Sequence, residues 1–214
     1  LTLPYGSPMP RMTETRDRLE DAAEQVIANN GGFATLRAVS EDYYDIIDGK
    51  TAGAFATICS CAAIFADSSE DYIMSMESYG KELGRAFQLV DDLLDLTGDP
   101  SMGKPRGTDV QEGKMTLPVI LAYARGNDEE RRFWQDAIAG FRAEDEDLAH
   151  AVTLIERHQT VAATRDRARH YAQRAIDAIV LLPEDASPNL PAVQVANLLL
   201  RWCVSSNVAA VFGS

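Results

Sequence analysis

Phe87-Gln88-Leu89-Val90-Asp91-Asp92-Leu93-Leu94-Asp95 is the stretch on which the reading of this chain turns. Residues three and four apart are neighbours on a helix surface, so Gln88, Asp91, Asp92 and Asp95 would project an amide and three carboxylates from one face. Phe87, Val90 and Leu94 are expected on the other side, packed inward. The acids fall in the last turns before Gly98-Asp99-Pro100 ends the helix. The helix dipole disfavours anions there by about 0.3–1 kcal/mol each. A divalent cation would offset that cost, because clustered carboxylate oxygens are what Mg²⁺ takes while keeping several of its waters. A solvated acidic face is the alternative when the acids are taken alone.

The residues that follow bear on the choice. Asp99–Gly113 reads as a loop, and Gly103-Lys104-Pro105-Arg106-Gly107-Thr108-Asp109 with Gly113-Lys114-Met115-Thr116 punctuates it with glycines and three cations. Glycine permits close backbone approach, and Lys and Arg supply charge for phosphate oxygens. Carboxylates that hold magnesium beside cations that hold phosphate make a diphosphate site. Upstream, Gly49-Lys50-Thr51 interrupts an otherwise apolar helix. A lysine among small residues is costly to bury unpaired, so Lys50 is expected to face a polar cavity, with a snorkelling surface lysine as the alternative.

Outward from this centre the pattern is helical throughout, with no sustained strand alternation, and the fold class is all-α. One helix is expected from Thr13 or Thr15 to Ile27, ended by Asn29-Asn30-Gly31-Gly32. A second opens at Ser40 and runs to about 66. A third, capped by Ser68-Ser69, carries Ile73, Met76, Leu83, Phe87, Val90 and Leu94 on its apolar face. Helices near 42–66 and 71–97 should face one another. Thr116 and Pro118 open another through Ala124, and three more are expected near 128–140, 145–158 and 160–181. Pro183, Pro188 and Pro191 precede a last one from Val193 to Val211.

Composition narrows the function. The 214 residues suffice for one domain with a sizeable core. Leu1–Pro10, with three prolines, reads as part of a linker or disordered segment over 1–12, ahead of a domain over 13–214. The longest uncharged run, Thr51–Ala66, is too short to span a bilayer and is rich in small residues, as suits a tightly packed helix. A net charge of −13 argues against nucleic acid as a partner. Sixteen of the twenty basic residues are Arg, and three of the four lysines fall in the segments singled out above. A salt-adapted source and a GC-rich genome are both open readings of that bias. Cys59, Cys61 and Cys203 lack metal-ligand spacing and read as free buried thiols in a reducing, cytoplasmic setting. His150, His158 and His170 are expected on the surface. Glu144-Asp145-Glu146-Asp147 reads as a helix N-terminus, and Trp134 and Trp202 as core or interface.

Taken in order and spacing, the Gln88–Asp95 motif, the Gly103–Asp109 and Gly113–Pro118 stretches and Lys50-Thr51-Ala52 resemble the second half of trans-isoprenyl diphosphate (polyprenyl) synthases. Tyr171-Ala172 and Leu182-Pro183 look like that family's C-terminal helices. The resemblance implies a helical bundle of the isoprenoid (terpenoid) synthase type around a central cavity. It implies Mg²⁺ on Asp91 and Asp95 with Asp92 in support, and an allylic diphosphate contacted by Lys50, Lys104 and Lys114. Thr51 and Gln88 would line the cavity near the reacting carbons and help stabilise the cation. Asp91, Asp92, Lys50, Thr51, Gln88 and Lys104 are thus the implied catalytic set. The implied reaction joins an allylic diphosphate to isopentenyl diphosphate, with a short geranylgeranyl- or farnesyl-type product favoured.

The family's first Asp-rich motif and N-terminal basic residues have no counterpart before Asp91, so the N-terminal helices are expected to be missing. A homodimer, or association with a chain that supplies the first motif, would follow. A non-catalytic partner subunit of a complete synthase and a class I terpene cyclase relative are the alternatives.

Overall fold

The computed structural model describes residues 41–97, 107–139 and 145–180, all of it helix and short connections with no strand among them. The expected helices at 13–27 and 193–211, the 1–12 linker, Lys104, Trp202 and Cys203 lie outside the described residues.

Residues 41–47 form helix α1. It passes through a π turn, Asp48–Ala52, directly into α2, Gly53–Phe65. The break foreseen at Gly49-Lys50-Thr51 is therefore a widened turn inside one continuous helix: the Gly53 amide reaches back five residues to the Asp48 carbonyl. Such single-turn bulges are frequent at functional sites. The long α3, Glu70–Thr97, runs antiparallel to α1–α2 and starts where the Tyr72 amide donates to Ser69 Oγ, 3.3 Å away. A short α4, Thr108–Gln111, lies within the stretch expected to be loop. Then come α5 (Leu117–Arg125), α6 (Asp128–Ala139), α7 (Asp145–Arg157) and α8 (Thr160–Val180).

Small residues let α2 and α3 approach closely. A Cβ on Gly84 would lie 2.6 Å from Ala52 Cα, and one on Gly80 would lie 2.5 Å from the Phe55 carbonyl oxygen. Real carbons cannot sit that near, so backbone meets backbone there. Behind this contact the main core joins Leu89, Val90 and Leu93 of α3 to Val119, Ile120 and Tyr123 of α5, Trp134 of α6 and Leu154 and Ile155 of α7. Each wholly buried Leu or Ile contributes roughly 1.5–3 kcal/mol. A second cluster packs Cys59, Ala63, Tyr72, Met76 and Leu83 against Ala175 of α8.

Helix α5 begins as its sequence suggests, with Thr116 as N-cap and Pro118 in the first turn. Asn127 caps α6 through a reciprocal box. Its Oδ1 accepts from the Glu129 and Glu130 amides, both at 3.0 Å, and its own amide donates to Glu130 Oε2 at 2.9 Å. No helix among the described residues is long and apolar enough to cross a membrane.

Two expectations are corrected, for His158 and for the thiols. His158 is not a free surface residue: it is half-buried, with Nε2 3.0 Å from Glu130 Oε2, because α6 and α7 converge on that buried carboxylate. His150 is exposed, as expected, and stacks edge-on against Phe133. Of the described thiols only Cys59 is buried, where loss of solvent pushes its pKa up to about 11; Cys61, two positions on, turns to the outside.

Candidate active site

The Asp-rich helix does not present its polar residues as a single outward row. Gln88 and Asp92 point into the protein, and Asp92 is only 5% exposed. Leu89 and Leu93 are wholly buried, whereas Phe87 and Leu94 are half-buried. The expected inward face is thus turned by about one residue. The reason lies on α1: the Tyr43 hydroxyl donates to Asp92 Oδ2 at 2.6 Å, so a buried acceptor has a buried donor. Gln88 Nε2 donates to the other oxygen, Oδ1, at 3.0 Å. Burial pushes the Asp92 carboxyl up to about 6, and the two hydrogen bonds oppose that rise.

The Gln88 amide links this pair to the π turn. Its Oε1 accepts from the Thr51 hydroxyl at 2.8 Å, while Nε2 also reaches Asp91 Oδ2 at 3.5 Å. Tyr43, Asp92, Gln88 and Thr51 form one hydrogen-bonded line across the α1–α3 interface. Asp91 stands beyond it, exposed.

Asp95, one turn further, is half-buried at the start of α4. Its Oδ2 accepts from the Asp109 amide at 3.1 Å, and its backbone carbonyl accepts from the Gly107 amide at 2.8 Å. Gly107 has φ +73°, and a Cβ there would lie 2.4 Å from Leu148 Cδ1, so this turn requires glycine. Burial and then the Asp109 charge raise the Asp95 carboxyl above its ordinary value. Two of the three acids therefore have structural partners at the helix end, which the dipole argument alone did not anticipate.

Lys114 closes the far side. Its Nζ lies 2.7 Å from Asp109 Oδ1 and 2.7 Å from Glu112 Oε2. Partial burial opposes its charge, but those carboxylates hold its pKa above the usual lysine value. Lys50 is exposed on the π turn rather than enclosed. The structure thus brings Thr51, Gln88, Asp91 and Asp92 together and sets Lys114 beside Asp95 through Asp109. Tyr43 and Glu112 were not singled out in the sequence, and Asp109 entered only as the end of the Gly103–Asp109 stretch, with no role of its own. Asp48 and Arg85 were missed as well: the Arg85 fork donates through Nε at 2.6 Å and Nη2 at 2.5 Å to the two Asp48 oxygens.

Among the described residues no three His, Cys, Asp or Glu side chains converge as a complete metal cage. The donor set still fits magnesium, which commonly takes one or two carboxylates and completes its shell with water and phosphate oxygens. Asp91 and the remaining Asp95 oxygen are hard oxygen donors one helical turn apart.

The described scaffold is all-α, with a carboxylate-rich helix end beside a lysine-bearing turn, and sequence comparison assigns it to a family. Residues 21–155 match the polyprenyl synthetase family model. The chain belongs to that family. It is 36% identical over 176 residues to octaprenyl diphosphate synthase of Haemophilus influenzae, covering 81% of this chain and 52% of that protein. Against geranylgeranyl diphosphate synthase of Saccharolobus solfataricus the identity is 32% over 149 residues, or 69% and 45% of the two chains. A crystal structure of polyprenyl synthase from Caulobacter crescentus, complexed with calcium and isoprenyl diphosphate, superposes with a TM-score of 0.67 at 32% identity, covering 92% of this chain and 61% of that one. The chain spans about half the length of the curated relatives it matches.

Proposed function

We propose that this chain carries the second metal–diphosphate half-site of a cytoplasmic trans-prenyl diphosphate synthase, one that joins an allylic diphosphate to isopentenyl diphosphate. The carrying observation is the division of labour at the Asp-rich helix end. Asp92 and Gln88 are committed inward, which leaves the Asp91 carboxylate exposed beside the Thr51–Lys50 turn. The Caulobacter relative with calcium and isoprenyl diphosphate supports the same ligand class.

On this reading Asp91 and Asp95 hold Mg²⁺, which when bound neutralises charge on the diphosphate. Lys50 and Lys114 serve the phosphate oxygens, and the family resemblance gives Lys104 the same role. Lys114 exchanges its contacts with Asp109 and Glu112 for the substrate, and its raised pKa keeps it charged at neutral pH. As the allylic C–O bond breaks, the diphosphate leaves with the electron pair. The isopentenyl double bond then forms the new C–C bond, and a proton is lost. Preorganised charge, present before the bond breaks, is what accelerates such an ionisation. Thr51 donates its proton to Gln88, so its remaining lone pairs face outward, where positive charge on carbon is favoured.

The named relatives make products of different length, so the short geranylgeranyl or farnesyl product stays a proposal, tested by product chromatography. The exposed Ile58, Ile64, Phe65 and Met74 support a partner, either a second copy or a chain that supplies the first Asp-rich motif. The test is turnover with Mg²⁺, isopentenyl diphosphate and a series of allylic diphosphates. It is run on this chain alone and on the chain joined to the N-terminal part of a full-length relative. Product lost in Asp91→Ala supports the reading, and no product in either form refutes it.

A further inference from the structure

The π turn that carries Lys50 and Thr51 is tied to α3 at both of its ends. At its start Asp48 takes the Arg85 fork, and near its finish Thr51 donates to Gln88. The partners, Arg85 and Gln88, lie three apart on one face of α3, as Asp48 and Thr51 do across the turn. Arg85 is itself fixed: its guanidinium lies 5.5 Å from the Tyr171 ring centre on α8 and 3.4 Å from Glu82. Lys81 adds a weaker contact to Asp48 at 3.2 Å, with its ammonium largely in water.

A π turn holds one residue more than an α turn, and each residue turns the helix by about 100°. If the turn relaxed, Lys50 and Thr51 would rotate relative to the Asp-rich helix end while the carboxylates stayed in place. We propose that Arg85, through its bidentate contact with Asp48, is a positioning residue that holds the π turn open and so keeps Lys50 and Thr51 facing the diphosphate. Arg85 touches no substrate. A planar fork onto a carboxylate fixes direction as well as distance, which a lysine cannot reproduce. This rests on the diphosphate reading above.

Two probes separate the possibilities on the 214-residue chain: Mn²⁺ alone, followed by electron paramagnetic resonance, and inorganic pyrophosphate with Mg²⁺, followed by calorimetry. The variants are Arg85→Met, Arg85→Lys, Asp48→Asn and the Arg85→Met/Asp48→Asn pair, each measured well below its melting temperature. The expected result is pyrophosphate binding weakened about tenfold in Arg85→Met, the order set by loss of one charge-assisted contact. Arg85→Lys should recover little of it, and Mn²⁺ affinity should be unchanged. The pair should be no weaker than either single change, because both remove one contact. A purely structural role would instead move both probes together. Pyrophosphate affinity unchanged in Arg85→Met and Asp48→Asn overturns the proposal while the site reading stands. No pyrophosphate binding by the parent chain overturns the site reading, and the proposal with it.

Discussion

The Tyr43 hydroxyl donates a 2.6 Å hydrogen bond to Asp92 across 49 residues of sequence, and this bond marks which acid of the Asp-Asp pair faces the protein and which is left exposed. The two neighbours differ in environment more than in chemistry. Asp92 is shut in by Tyr43 and Gln88, and Asp91 is open.

The buried carboxyl has a signature in pH. The Asp92 carboxyl is raised to about 6 by burial, so the folded chain holds its proton more tightly than the unfolded chain does. Its effect on stability is most favourable below the ordinary carboxylate value, declines as pH rises from about 4 to about 6, and is flat beyond. Asp92→Asn removes the charge yet keeps an acceptor for Gln88 and a donor for the Tyr43 oxygen. It should melt higher than the parent at pH 7.5, by an amount worth about 1–3 kcal/mol, with the gap closing near pH 4. Equal melting at both pH values would contradict the burial account.

The helix contact gives a second expectation. Gly→Ala inside a helix ordinarily stabilises by about 1 kcal/mol. At Gly84 the new Cβ would meet Ala52 Cα at 2.6 Å, so α2 and α3 must separate. Gly84→Ala should therefore destabilise by about 1–3 kcal/mol in chemical denaturation, as overpacking does. It should also weaken pyrophosphate binding, because Ala52 closes the π turn.

Glu130 anchors the opposite end of the bundle. The Asn127 amide, then His158 and Arg157, hold its carboxyl down to about 2. A depressed carboxyl stabilises the fold above its unfolded value and loses that contribution as pH falls from about 4.5 towards 2. Glu130→Gln should have a lower melting temperature at pH 7 and a shallower loss of stability between pH 4.5 and 2.5, both readable by circular dichroism. An unchanged acid limb would show that Glu130 does not control it.

Lys114 tests the diphosphate side. Its contacts with Asp109 and Glu112 place it beside the Asp95 turn. Lys114→Gln should weaken pyrophosphate binding by about 10–100-fold, the range for a hydrogen bond to a charged group. Glu112→Gln frees the lysine of one competitor and should strengthen binding slightly. Calorimetry in Mg²⁺ gives both numbers, and no change in Lys114→Gln would remove this residue from the site.

Much of the scaffold was legible because helix signals are local. Ser69 and Thr116 with Pro118 mark starts, and spacings of three and four mark the buried stripe of α3. The partners across helices were not. Periodicity puts Asp92 and Gln88 on a face but cannot say that Tyr43 will meet them, so their burial was missed by one residue. Asp48 and Arg85 carry no local signal, and only the antiparallel pairing of the π turn with α3 joins them. The Asn127-x-x-Glu130 box was a readable signal, and with it the buried end of Glu130 that draws in His158.

The turn at Gly107 has a further bearing on how the chain tolerates insertion. The backbone leaves α3 at Thr97 and is caught again by the Asp95 carbonyl two residues upstream of that exit. The Gly107–Asp95 hydrogen bond therefore closes the chain between Thr97 and Gly107 at its base. Closing a longer ring costs little, about 0.6 kcal/mol for each doubling of its length. Lengthening the segment between these two points should accordingly cost the fold little, whereas replacing Lys104 within it should weaken pyrophosphate binding.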